Sequence, residues 1–174
     1  MTQTSLHTET PSRVSHRQAN ALADRLEEGA RALASFATRV TDAEWQMDVP
    51  HDGRSVGVIV HHVASVYPLE VELALTIAGG KQVTGVTMDD VHAMNAKHAA
   101  EHAAVTKAVA LHLLHANSKA AAAAIRALTD EQLLQAAPVS LYADAPLTCQ
   151  FVLEDHAVRH SYHHLAKLRR TVQR

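Results

Sequence analysis

Glu154-Asp-His-Ala-Val-Arg-His-Ser-Tyr-His-His-Leu165 holds four histidines, His156, His160, His163 and His164. His160 and His164 are four residues apart, a spacing that stacks two side chains on one face of an α-helix. Two imidazoles so placed hold a divalent transition metal when a third ligand arrives from elsewhere. A second pair, His61-His62, lies about a hundred residues upstream in Gly57-Val-Ile-Val-His-His-Val-Ala-Ser65. Either member of that pair would complete a site built from two helices of a bundle. Asp155, Glu154 and Asn95 are candidate acceptors behind the ligands.

The flanking pattern is helical. Ala21, Leu22, Leu26, Ala30, Leu33, Phe36 and Val40 recur mostly at three and four residues, predicting a helix over 14–40 with Ser12 or Ser15 as its cap. Thr41 to Glu44 reads as a short capped turn. Ser55 is the N-cap of a second helix running to Ala78, ended by Gly79-Gly80. Pro68 must kink or break that run. A third helix capped at Thr87 is expected to continue from Met88 to Leu128, with Asn117-Ser118 a place to bend. Thr129 to Leu133 opens another turn, 136–146 reads as irregular or briefly extended, and Pro146 suits the start of a fourth helix reaching Val172. Four long helices and no repeat predict an all-α fold, a four-helix bundle over 13–174 preceded by a flexible segment at 1–12.

Composition narrows the function classes. The 174 residues are 47% hydrophobic, with a formal net charge of -2. Aromatics make up only 3%. Neither a basic face nor a set of stacking surfaces favours nucleic acid. One cysteine, Cys149, excludes an internal disulfide and suits a reducing compartment. No secretory pattern and no stretch approaching a membrane span stands out, so a cytoplasmic protein without a membrane partner is expected.

Other motifs carry less. His98-Ala-Ala-Glu-His102 matches the H-x-x-E-H pattern of inverted zinc peptidases, but those need a further acidic ligand and a sheet-flanked cleft. A solvated or site-lining role fits these residues better. Cys149 lies about two turns before His156, too far for a nucleophile–base pair, and reads as buried packing. Phosphate-binding loops, nucleophile elbows and paired catalytic carboxylates are not recognisable.

Three segments together resemble one family. Val58-Ile-Val-His-His-Val-Ala-Ser65, Val91-His-Ala-Met-Asn-Ala96 and His160-Ser-Tyr-His-His-Leu-Ala-Lys-Leu168 are similar, in order and spacing, to the H-H-[IVL]-A-[DS], N-A and H-x-x-H-H-x-[GA]-[QH]-[IL] segments of the DinB-like (DinB/YfiT-like) superfamily. Lys167 replaces the usual Gln or His, and Leu165-Ala166 stand where Arg-Gly often follows the last histidine.

The resemblance implies a four-helix bundle, often a homodimer, with a three-histidine site for a divalent transition metal, zinc or nickel foremost. It assigns His62, His160 and His164 as ligands, since the family ligand directly precedes the [IVL]-Ala pair. It further implies a small-molecule substrate and a low-molecular-weight thiol such as bacillithiol or mycothiol, with S-transfer or isomerisation as the chemistry and hydrolysis as the alternative. His61, Asn95, His156 and His163 are candidates for the pocket or for supporting the ligands. Three histidines leave coordination positions open, as in catalytic zinc sites. A non-catalytic binding module would instead close the site with a fourth protein ligand, such as His61, His163 or Asp155.

Overall fold

The computed structural model describes residues 14–173. The segment expected to be flexible, 1–12, and the candidate cap Ser12 lie outside them. Helix α1 spans Arg17–Arg39, α2 Asp42–Trp45, α3 Val56–Ala78, α4 Met88–Glu101, α5 Lys107–Arg126 and α6 Asp130–Leu134. A two-stranded antiparallel hairpin follows, β1 Ala136–Val139 and β2 Ala145–Thr148, joined through a 3₁₀ turn at Ser140–Tyr142. The last rod is α7 Cys149–Val152, a π-helical segment Leu153–Val158, and α8 Arg159–Val172.

The fold is a four-helix bundle of α1, α3, α5 and the C-terminal rod. Around it, α1 packs on α5 and α8, while α3 packs on α5 and on the C-terminal rod. Helix α1 buries Leu22, Leu26, Leu33 and Ala37 along one stripe. Helix α3 buries nearly every residue from Val56 to Val66. By length and composition alone it could cross a membrane, with 23 residues and an 18-residue window of mean hydropathy 1.3, although it is not an unbroken apolar stretch. Two adjacent histidines and the acids Glu70 and Glu72 interrupt it. In the fold, 67% of the apolar window is buried against the other helices.

Start and stop signals fall where expected at several ends. Ser55 accepts from the Val58 amide at 3.3 Å, and α3 ends at Gly79, with Gly80 at φ +70. Thr41, Thr87 and Thr129 each close a capping box. Helix α1 departs from its expected cap. His16 precedes it, and the Asp130 carboxylate accepts from the Gln18 amide at 2.9 Å and from the Ser15 hydroxyl at 2.5 Å. The cap therefore comes from the start of α6.

The expected helix over 88–128 is two helices. Val105 O, which in an unbroken helix would accept from the Val109 amide, accepts instead from the Trp45 indole N–H at 2.9 Å. The Val109 amide turns to the Thr106 hydroxyl at 3.3 Å, and α5 restarts there. Gly57 leaves the room that Trp45 occupies, since a Cβ there would lie 2.4 Å from the indole nitrogen. Pro146 likewise does not open the last helix. It lies in β2 opposite Pro138, and Thr148 caps the rod instead.

Pro68 leaves α3 unbroken. Lacking an N–H, it strands the carbonyl of Ala64 one turn back. Asn117 of α5 donates its side-chain amide to that oxygen at 2.9 Å. Asn117, inside the continuous helix α5, thereby supplies α3 with the donor that Pro68 removes. Replacing it by Ala leaves a buried carbonyl unpaired and is expected to cost about 2 kcal/mol in urea unfolding, about the cost of one unsatisfied buried acceptor. An Asn117→Ala protein as stable as the parent would refute that account.

Asp52 fastens the loop before α3 to α8. Its carboxylate accepts from Arg54 Nε at 2.6 Å and from Lys167 Nζ at 2.6 Å. Burial pushes its pKa up, but these two cations outweigh it and hold the group at about 2. A folded-state pKa below the unfolded one means the stabilisation is complete above about pH 4 and is lost as pH falls through about 2. Asp52→Asn should therefore be less stable than the parent by about 2 kcal/mol at pH 5, with the difference shrinking between pH 4 and 2 in urea titrations. A pH-independent difference would exclude this pairing as its source.

Candidate metal centre

Helix α3 supplies His62 and α8 supplies His160 and His164. One turn of helix separates the latter two, and their rings stack with centroids 4.8 Å apart. The His62 ring lies 5.1 Å from that of His160 and 5.6 Å from that of His164. One ligand nitrogen from each of the three falls within 4.8 Å of the others. The Nε2 atoms of His62 and His160 face each other at 3.3 Å. This matches the edge of a tetrahedron with metal–nitrogen bonds of about 2.05 Å. Next to His160, the buried hydroxyls of Tyr67 and Ser161 hydrogen-bond and fix α8 against α3.

Glu70 stands behind the site. It lies two turns after His62 on α3, and its carboxylate accepts from Nδ1–H of His160. That bond fixes the tautomer and leaves the Nε2 lone pair facing His62. Burial, followed by the neighbouring His160, pushes His62 down to about 3 and His164 down to about 2. Both are neutral at physiological pH, the state that ligates. Nδ1 of His164 is buried with no hydrogen-bond partner in the protein. Three converging imidazoles, one oriented by a carboxylate and one with an orphaned nitrogen, suit a borderline transition metal.

A pocket of about 380 Å³ opens beside His62 and His160. Val66, Leu69, Leu73 and Met94 form much of its apolar wall. Asn95 and His156 line it, and neither hydrogen-bonds to the three imidazoles. His156 Nε2 sits 2.9 Å from the hydroxyl of Tyr142, which donates to Asp155 at 2.6 Å. His163 lies edge-on to His164, with centroids 5.2 Å apart, and shares a second recess with Glu70, His160 and His164. His61 turns away, and its Nδ1 lies 2.9 Å from Nε2 of His98.

Of the acceptors proposed from sequence, Glu154 pairs with Arg25 and Asp155 with Tyr142 and Arg159. The carboxylate at the site is Glu70. The available signal was an acid in a helix whose neighbours are apolar. Cys149 is buried, and its thiol is pushed up to about 11 by desolvation, as a packing residue should be. In H-x-x-E-H, Glu101 pairs with Lys97 across one turn of the surface, while both histidines reach His61.

Residues 26–165 match the family described as the mycothiol maleylpyruvate isomerase N-terminal domain. No curated protein sequence matches the chain. Among solved structures, YfiT from Bacillus subtilis, described as "a probable metal-dependent hydrolase with an unusual four-helix bundle topology", superimposes with a TM-score of 0.71 at 18% identity. The match covers 95% of this chain and 92% of that one. The mycothiol-dependent maleylpyruvate isomerase superimposes with a TM-score of 0.66 at 12% identity over 90% of this chain, which spans 63% of that longer protein. Such identities establish a shared fold. With the family match extending over most of its length, the chain belongs to the mycothiol maleylpyruvate isomerase N-terminal domain family, within the DinB-like superfamily.

Proposed function

We propose that the protein is a metal-dependent enzyme in which His62, His160 and His164 hold one divalent transition metal, zinc or nickel. A low-molecular-weight thiol and a small, largely apolar substrate would meet in the adjoining pocket for S-transfer or isomerisation. One observation carries this reading: three imidazoles converge beside a pocket. Among the described residues, no fourth histidine, cysteine or carboxylate joins their group. That arrangement favours a catalytic site over a closed structural one.

Each residue has a defined task. Glu70 holds His160 in the ligating tautomer and strengthens it as a donor. His62 and His164 stay neutral through burial. Val66, Leu69 and Met94 give the pocket beside the ligands an apolar wall. The metal would supply charge to stabilise a thiolate or hydroxide and to polarise a carbonyl. The pocket lining includes no lysine or arginine, which supports an apolar substrate rather than a polyanionic one. Hydrolysis is the second reading. It is favoured by the likeness to YfiT over nearly the whole length of both chains. The same site would then activate water in place of a thiol.

Metal content of the purified, untagged protein, measured by inductively coupled plasma mass spectrometry, tests the ligand set. The triple change His62→Ala, His160→Ala, His164→Ala should remove one equivalent of transition metal and abolish turnover in thiol-transfer screens. Glu70→Ala should keep the site but weaken its metal affinity about 10- to 100-fold. Unchanged metal content in the triple variant would exclude these ligands.

A further inference from the structure

A second group of imidazoles adjoins the first, gathered around the preceding residue of α3, with the His62 and His98 rings 5.5 Å apart. His61, His98 and His102 each offer a ring nitrogen within 4.8 Å of the other two. Their ring centroids are 5.0, 4.1 and 4.6 Å apart. We infer that these three histidines form a second site for a divalent transition metal, separate from the one at His62, which clips α4 to α3. This inference stands whether or not the first site binds metal.

The donor chemistry is specific. Three imidazoles without a carboxylate in the group suit zinc, nickel or copper and do not suit magnesium or calcium. His98 and His102 are spaced like His160 and His164, so α4 presents the same two-ligand face. His61 is buried, while His98 and His102 are half-buried, which leaves a path for an ion to enter. A hydrogen bond alone does not account for the cluster. The 2.9 Å contact between His61 and His98 satisfies one nitrogen of each. It leaves Nδ1 of His98 buried without a partner, and it gives no reason for His102 to close over both rings. Glu101, the remaining acid of the motif, is engaged with Lys97.

The position gives the site a role. Helix α4 has no fully buried residue, so apolar packing holds it weakly. Yet its Val91, Met94 and Asn95 form one wall of the pocket beside His62. An ion bound by His61, His98 and His102 would tie the C-terminal end of α4 to the bundle core and thereby steady that wall.

The test uses the full chain, untagged and stripped of metal with a chelator, then loaded with zinc alone. The parent is expected to bind two zinc per chain, and His98→Ala or His102→Ala one. The triple variant lacking His62, His160 and His164 should retain one zinc, which a further His98→Ala removes. This distinguishes failure of the first site from failure of the second. Circular dichroism confirms that each variant is folded. Hydrogen exchange on the parent needs no variant: at zinc about 100 times its dissociation constant, amides of Met88–Glu101 that exchange by local opening should slow roughly 100-fold. Zinc stoichiometry unmoved by His98→Ala and His102→Ala, or no zinc-dependent protection of α4, would overturn the inference.

Discussion

Successive residues on an α-helix point about 100° apart, and the protein is organised around that angle at His61 and His62. Both rings project from α3 into protein rather than water. One meets α8 and the other meets α4. A helix buried on so many sides offers few places for a polar ring, because an unpaired one costs free energy in a low dielectric. Each imidazole therefore gathers others. His62 gathers His160 and His164, with Glu70 behind them; His61 gathers His98 and His102. The two groups are neighbours, with the His62 and His98 rings 5.5 Å apart. They remain distinct because the dipeptide feeding them diverges.

The helices that deliver these rings depend on a few backbone groups finding partners outside their own helix. Ala64 loses its partner at Pro68 and finds Asn117. Val105 gives its carbonyl to Trp45, and Thr106 then serves as a fresh cap. The first exchange gives the freed carbonyl a partner within the continuous helix that carries both His62 and Glu70. The second separates α4, which ends at Glu101 with His102 as its C-cap, from α5, and leaves that short helix lining the pocket. A π-helical segment in the last rod makes a similar local adjustment immediately before His160.

These exchanges mark what could be read in the chain and what could not. The start of α3 at Ser55, its end at Gly79, the threonine caps and the His160–His164 face were legible because each depends on residues within one or two turns. The bundle followed from four such periodic runs. The break at 102–106 was not legible, since it requires an indole sixty residues away. Neither was the start of the last rod, because Pro146 satisfies a strand pairing as readily as a first helical turn. Glu70 was overlooked because its partner is ninety residues distant. His98 and His102 were recognised as a motif, yet only the packing of α4 on α3 brings them to His61.

Trp45 is the single tryptophan of the chain. Its ring lies against Gly57, its N–H is bonded at the joint between α4 and α5, and the Lys107 ammonium sits 5.8 Å from its centroid. An indole's emission responds to the polarity and charge around it. The protein thus contains a fluorophore at the joint where α4 leaves the bundle, and its spectrum reports on that joint without a label or any other tryptophan signal beneath it.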